Sequence, residues 1–307
     1  MDYKYKVTIF TPTYNRAYTI ERLYKSLLSQ SCMDFEWLIV DDGSNDETEN
    51  LVQEFISDKK ISVSYFKKQN GGKHTAINKG LDLAQGEWFF IVDSDDYLPT
   101  DSIENILQEL KNIEEDKRIV GIVGLMQDEK RNVIGTGLKG NDGLLSTVIE
   151  SRNKYKIQGD LAKIVRTDIS KKFKFPIIPN ERFVAESIIW NRMAAEDYLF
   201  RFFNKVIYIA EYQKNGLSAN SIRNRRKYPK YATLLYSELV INPKNTFLYR
   251  IRASINYWRF AFCTKDFYMS YKESGDKFLS LFTVFLGALY YMKDTIQLYI
   301  KGSRNNL

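Results

Sequence analysis

Trp88-Phe89-Phe90-Ile91-Val92 runs without a polar break into Asp93-Ser94-Asp95-Asp96. A short, continuous apolar run reads as a strand buried on both faces, the kind found in parallel sheets covered by helices. The carboxylates at its end repel one another unless a cation sits among them. In open α/β sheets, ligands bind beyond the carboxyl ends of the strands. The run therefore predicts a strand that carries a divalent-metal site to the mouth of a sheet.

The preceding residues supply the rest of that sheet. Residues 6–11 (KVTIFT) are β-rich and end in the loop sequence Pro12-Thr13-Tyr14-Asn15-Arg16. Residues 17–30 place Ile20, Leu23, Leu27 and Leu28 at helical spacing. Residues 35–40 (FEWLIV) form a second buried-type strand, which runs into Asp41-Asp42-Gly43-Ser44-Asn45-Asp46. That turn carries helix-capping residues, Ser44 among them, and a helix is predicted at 47–55. Residues 61–66 alternate and predict a third strand. Asn70-Gly71-Gly72-Lys73 opens a helix with Ala76, Ile77 and Leu81 on one face, ended by Gly86. Strands alternating with single helices imply a parallel sheet with right-handed crossovers. Such a sheet brings Asp41, Asp42, Lys73, Asp93 and Asp95 to one edge.

Beyond Pro99 the pattern predicts a helix at 101–114 and strands at 118–125, 132–136 and 160–165. A loop punctuated by Gly135, Gly137, Gly140 and Gly143 follows the second of these. A basic, proline-containing loop spans 171–183, then a helix at 186–195 and a short strand at 206–210.

The 307 residues, 44% of them hydrophobic, suffice for one large domain with an appendage. Residues 1–6 are charged and show no signal peptide. Cys32 and Cys263 lie far apart, which argues against a disulfide framework or zinc cluster and fits a reducing cytosol. Residues 220–307 hold 15 Lys and Arg against 5 Asp and Glu, whereas residues 1–219 hold 30 against 33. The basic tail, densest from Arg223 to Lys227, suits an anionic partner, either a membrane surface or a polyanion. Residues 278–292 carry no charge and are bounded by Lys277 and Lys293. That run is shorter than the roughly 20 residues of a spanning helix. With Trp258, Tyr290 and Tyr291 it suits a membrane interface, or packing on the catalytic domain or a second subunit.

Four ordered motifs carry a family resemblance. They are Val7–Arg16, Leu38-Ile39-Val40-Asp41-Asp42-Gly43-Ser44, Asn70-Gly71-Gly72 with Ala76, Asn78 and Gly80, and Asp93-Ser94-Asp95-Asp96. Over the first hundred residues this resembles family 2 glycosyltransferases of the GT-A fold, bacterial and of the surface-polysaccharide type. The implied architecture is α/β: a Rossmann-like, mostly parallel sheet with flanking helices, plus a C-terminal helical extension. It divides into a catalytic domain at 1–219 and a basic, aromatic-rich helical tail at 220–307. Within the former, about 1–100 would bind the nucleotide sugar and 101–219 would supply the acceptor side and the base.

The resemblance implies roles residue by residue. Asp95 resembles the carboxylate that holds Mn2+ or Mg2+ on the donor's diphosphate. Asp93 resembles the one that faces the ribose or reaches the metal through water, and Asp96 would support them. The plainer reading of the three is a turn whose aspartates cap the next helix. Asp42 resembles the acceptor of the uracil N3–H, with Thr11, Pro12 and Tyr14 lining the base pocket. Arg16, Lys73 and Ser94 fall among the donor contacts, although Lys73 also suits a solvated helix start. His74, the single histidine, suits packing at that helix start better than donor contact. Val184-Ala185-Glu186-Ser187-Ile188-Ile189-Trp190-Asn191-Arg192 looks like the family's acidic helix start. Ala185 stands at its first acidic place and Glu186 at its second, which makes Glu186 the candidate base and Glu181 the rival.

The implied activity is inverting and metal-dependent. A hexose or N-acetylhexosamine moves from a UDP-sugar to a glycan hydroxyl, the acceptor being lipid-linked and part of capsule, exopolysaccharide or O-antigen synthesis. The chain lacks the Gln-x-x-Arg-Trp sequence of processive synthases. Its expected place is the cytoplasm or the inner face of the cell membrane, with homo-oligomerisation left open and no nucleic-acid partner. Two rivals fit less well. A sugar-nucleotide nucleotidyltransferase needs a glycine-rich loop after the first strand, where this chain has Pro12–Arg16. A basic nucleic-acid-binding protein conflicts with the acidic body.

Overall fold

The computed structural model describes residues 3–113, 115–211 and 220–304. By their internal packing they form two compact units. One comprises the described residues up to Phe175 together with 192–211, and the other Pro176–Asn191 together with 220–304.

The first unit opens with β1 (Tyr5–Thr13), α1 (Ile20–Leu28), β2 (Phe35–Asp41), α2 (Thr48–Asp58), β3 (Val63–Lys67), α3 (Lys73–Leu83) and β4 (Gly86–Ile91). These strands pair in parallel in the order β3-β2-β1-β4. The reason lies in their side chains. Val7, Ile9, Trp37, Ile39, Trp88 and Phe90 are fully buried in the main core, and the alternate residues Phe10, Leu38, Val40 and Phe89 are buried too. Strands that bury both faces need helices above and below, and the connections supply them. Tyr24 of α1 packs against Trp37 of β2 and Phe55 of α2, with ring centroids 5.9 and 4.1 Å away, and those two rings also meet each other at 6.0 Å. β3 closes the edge with half-buried and exposed residues.

The sheet continues with α4 (Ser102–Lys111), β5 (Ile119–Asp128), β6 (Leu145–Ser146), α5 (Val148–Asn153), β7 (Leu161–Arg166), α6 (Thr167–Lys172) and β8 (Leu199–Ala210); of α7 (Ser187–Ala195) only residues 192–195 belong to this unit. The full order is β3-β2-β1-β4-β7-β5-β8-β6. The parallel expectation for the first hundred residues holds for all four of their strands, and β5 pairs with β8 in parallel as well, whereas β7 runs antiparallel to β4 and β5, and β6 antiparallel to β8.

Several local expectations change. Residues 132–136 form no strand; Val133 makes a single bridge to Gln127. Gly135 ends the extension, with φ of 81° and a backbone so close to Gln158 that an added Cβ would lie 2.0 Å from its carbonyl oxygen. The strand predicted at 206–210 begins at Leu199, since Phe200, Phe202 and Phe203 are buried as well. Register shifts along β5 and β8 break the alternation that would have revealed it. The loop predicted from 171 starts as the end of α6. α5 rests on a capping box in which Thr147 and Glu150 satisfy each other's backbone N–H. Of the predicted helix at 101–114, Glu114 lies outside the described residues.

The second unit contains α8 (Ser221–Lys227), α9 (Pro229–Ile241), α10 (Phe247–Ala261), α11 (Phe267–Glu273) and α12 (Lys277–Arg304). Residues 176–191, expected with the catalytic domain, group with these helices; the boundary expected near 219 falls outside the described residues. Tyr231 of α9 ties the loop down. Its hydroxyl donates to the Pro176 carbonyl and accepts from Ile178 N–H. α10 and α12 pack closely because Gly287 faces Trp258, where an added Cβ would lie 2.3 Å from the Trp258 Cβ. No described helix is long and apolar enough to cross a membrane.

Gly80 sets the approach of α3 to β1: a Cβ there would lie 2.1 Å from the fully buried ring of Phe10. Gly80→Val should therefore lower the unfolding free energy in urea by about 1–3 kcal/mol, the usual cost of overpacking a closed core.

Candidate active site

The ends of β1, β2 and β4 and the start of α3 build the site within the first unit. Asp42 follows β2 and is buried. Its carboxylate takes Lys68 Nζ at 2.6 Å, Gly71 N–H at 2.9 Å and Gly72 N–H at 2.7 Å. Asp42 therefore shapes the loop that opens α3. A carboxylate has about four acceptor sites, so capacity for a further donor remains. Asp41 beside it is fully buried and accepts Ser44 N–H at 2.7 Å and the Tyr65 hydroxyl at 2.6 Å, a turn-holding role. Ser44 does not cap α2, whose N-cap is Glu47; its hydroxyl accepts Asn15 N–H at 2.8 Å. That contact and the Asn15 side chain, which accepts Asn45 N–H, join the β1 and β2 loops.

The carboxylates after β4 form the second half of the site. Oxygens of Asp93, Asp95 and Asp96 lie within 4.8 Å of one another. Lys73 Nζ sits 2.6 and 2.7 Å from the two Asp93 oxygens, and the Arg16 guanidinium is 3.9 Å from Asp95. Arg22 donates to the Asp95 carbonyl at 2.5 Å, pairs with Glu211 and lies over the Tyr97 ring. Behind them, the Tyr208 hydroxyl accepts Asp93 N–H at 3.0 Å and donates to Asp96 at 2.5 Å. The other Asp96 oxygen accepts Glu211 N–H at 2.8 Å. Burial, and then the charge of Asp93, raise the Asp96 carboxyl to about 7. Asp96 thus supports the turn from beneath, while Asp93 and Asp95 are half-buried at its mouth.

The cluster suits a hard cation. Mg2+ binds oxygens at about 2.1 Å, so oxygens on opposite sides of it stand roughly 4 Å apart. Carboxylates already this close need little rearrangement to take one, and its charge would relieve their repulsion.

Other expected site residues fall elsewhere. Thr11 is fully buried, and its hydroxyl accepts the Trp37 indole N–H at 2.9 Å, so it braces β1 against β2. Pro12 is buried too and stands opposite Val40 in the sheet. Of that trio only Tyr14 is exposed. Ser94 is buried. His74 is buried, its ring edge toward Phe175, and burial drives its imidazole down to about 4. Asn78 binds the Phe175 backbone through both N–H and C=O groups at 2.8 Å, which explains its place in the motif.

Glu186 and Glu181 belong to the second unit. Glu186 is half-buried immediately before α7. Glu181 is buried, and its carboxylate accepts Tyr231 N–H at 3.1 Å in the first turn of α9, a capping role. Burial raises its carboxyl.

Sequence reasoning missed Lys68, Arg22 and Tyr208. Lys68 precedes the Asn-Gly-Gly turn and had a local signal. Arg22 and Tyr208 act on the turn from α1 and β8, 73 and 112 residues away in the pairings they make; only the fold reveals them.

Relatives agree with this architecture. The chain matches the model of Glycosyl transferase family 2 over residues 8–173, more than half its length, and it belongs to that family. The GalNAc(5)-diNAcBac-PP-undecaprenol beta-1,3-glucosyltransferase of Campylobacter jejuni is 26% identical over 243 residues, 76% of this chain and 75% of that protein. The putative teichuronic acid biosynthesis glycosyltransferase TuaG of Bacillus subtilis is 38% identical over 108 residues, 35% of this chain and 42% of its own length. Among solved structures, S. aureus TarS 1–349 aligns with a TM-score of 0.59 at 21% identity, covering 84% of this chain and 72% of that one. Its complex with UDP-GlcNAc aligns at 0.58 with 21% identity, covering 85% and 73%. The fold is accordingly of the GT-A type.

Tyr208→Phe strands Asp93 N–H and removes a donor from Asp96. A buried group left unsatisfied costs about 1–3 kcal/mol, so calorimetry should show weaker Mn2+ uptake in the presence of a nucleoside diphosphate, with circular dichroism unchanged. His74 yields a pH prediction. Between pH 6.5 and about 4 the unfolded chain protonates this imidazole and the folded chain does not. Its contribution is complete above pH 6.5 and is lost as pH falls toward 4, by up to about 3 kcal/mol. Urea melts across that window should show a shallower pH slope for His74→Phe.

Proposed function

We propose that this protein transfers a hexose or N-acetylhexosamine from a UDP-sugar to a hydroxyl of a lipid-linked glycan, with inversion at the anomeric carbon. The carrying observation is the Asp93, Asp95 and Asp96 cluster at the end of β4, inside the family 2 region. Support for a uridine donor comes from TarS, whose structure includes UDP-GlcNAc. Support for the acceptor comes from the Campylobacter relative, whose name carries a diphosphate-undecaprenol glycan.

The donor lies along the strand ends. Asp42 accepts the uracil N3–H with its remaining capacity, beside Tyr14. Lys73 and Arg16 hold the diphosphate, and their present carboxylate partners keep both side chains at the mouth of the site. Asp95 would hold a divalent cation, Mn2+ or Mg2+, and Asp93 would face the ribose or reach the cation through water. When bound, that cation neutralises charge on the departing diphosphate. Glu186 accepts the proton of the acceptor hydroxyl as its oxygen bonds to the anomeric carbon and the bond to UDP breaks. A carboxylate next to a helix N-terminus stays ionised readily, and the anionic donor raises its basicity for this step. The enzyme adds one sugar per encounter and works at the inner face of the membrane, where such acceptors are presented.

A panel of UDP-sugars, each with and without Mn2+, tests the donor. One should be hydrolysed slowly in a metal-dependent way; absence of turnover and binding for all of them would sink the proposal. Asp95→Ala should abolish both metal-dependent UDP binding and turnover. Glu186→Gln should lower turnover roughly 10²–10⁴-fold, the usual weight of a general base, and leave UDP binding intact. NMR of the product should show the inverted anomer; a retained one overturns the mechanism.

A further inference from the structure

α12 presents two opposite faces. The inward face lies on α10, where the Ser254 and Thr283 hydroxyls bond at 2.6 Å and Gly287 meets Trp258. On the opposite side Phe278, Phe282, Phe285, Leu289, Ile296 and Tyr299 recur at three-, four- and seven-residue steps, and each is 57–78% exposed. At 1.5 Å per residue this stripe is about 33 Å long. Continuous apolar surface of that extent marks a place where something binds.

Charge identifies the occupant. The only carboxylate in α12 is Asp294, which is 2% exposed and gripped by Arg259 at 2.6 and 2.7 Å. The outer face therefore carries no negative charge, and Lys293 is exposed at its edge. Residues 220–307 hold 15 basic against 5 acidic side chains. A second copy presenting the same face, as a two-fold dimer would, meets it with the same positive charge, whereas an anionic lipid surface meets it with the opposite one. α12 is not apolar enough to span a bilayer. A long helix with an aromatic and aliphatic outer stripe and basic surroundings suits the plane of the interface instead.

We propose that the outer face of α12 docks on an anionic bilayer, with Phe278, Phe282, Phe285 and Leu289 in the headgroup–acyl boundary and Lys293 among the phosphates. The purpose of the contact rests on the lipid-linked acceptor reading; its geometry does not.

Flotation of the full chain on vesicles tests this. Equal mixtures of phosphatidylglycerol and phosphatidylcholine should carry the protein upward, pure phosphatidylcholine about tenfold less, and high salt should weaken the association. The double variant Phe285→Glu, Leu289→Glu should lose flotation at least about tenfold, and Lys293→Glu should lose part of it. Both should keep wild-type metal-dependent UDP-sugar hydrolysis in the absence of lipid, which also shows that they fold. Failure of the wild type to float, equal flotation of the double variant, or a wild-type dimer in light scattering that the double variant dissociates would overturn the proposal. Flotation without hydrolysis of any UDP-sugar would instead overturn the donor assignment and leave the docking surface standing.

Discussion

Mutual repulsion among the three carboxylates after β4 is the constraint to which the first unit answers. Like charges this close raise one another's proton affinity and push the turn open. The structure answers from several directions. Lys73 neutralises Asp93, Arg16 approaches Asp95, and Arg22 holds the Asp95 carbonyl. Tyr208 and Glu211 N–H each take one oxygen of Asp96, so the most buried carboxylate is tied to the protein through both oxygens. The outcome is a graded cluster, with one acid committed to the protein and two held at the mouth for a ligand.

Backbone geometry does comparable work around Asp42, after β2. Asp42 receives two consecutive loop N–H groups, and Lys68 compensates its charge. Gly72 enters α3 with φ of 96°, a region open to glycine at little cost, and Lys73 then projects toward Asp93. The position of α3 depends in turn on Gly80, whose missing Cβ admits Phe10, and on the paired bonds between Asn78 and Phe175. A packing contact and a backbone turn thus determine where the Lys73 ammonium stands.

The second unit spends its buried charge differently. Asp294 is held by Arg259 on both oxygens, with Arg226 3.8 Å away. Removing one member of such a group would strand the others away from water. Turning that carboxylate inward also strips negative charge from the outer side of α12. The same residue choice therefore ties α12 to α10 and leaves its opposite face apolar and basic.

Most of the first hundred residues were legible because their local and global signals agree. Apolar runs such as Phe35–Asp41 and the stretch before Asp93 bury both faces, and glycine and aspartate mark each strand end where the chain must turn. The metal-binding candidates, the Asp42 turn and the glycine-rich helix start could all be read in order from those signals. The second half resisted, since β8 hides its alternation behind register shifts, β6 is two residues long, and antiparallel β7 enters between β4 and β5. Thr11 and Pro12 looked like pocket residues and proved interior, because position beside a motif does not reveal which way a side chain faces. Chemistry confined to one strand end was determined by the sequence itself. The support from Tyr208, Arg22 and Glu211, and the burial of Glu181 under α9, were decided only by tertiary structure, which alone brings residues so distant in the chain within hydrogen-bond reach.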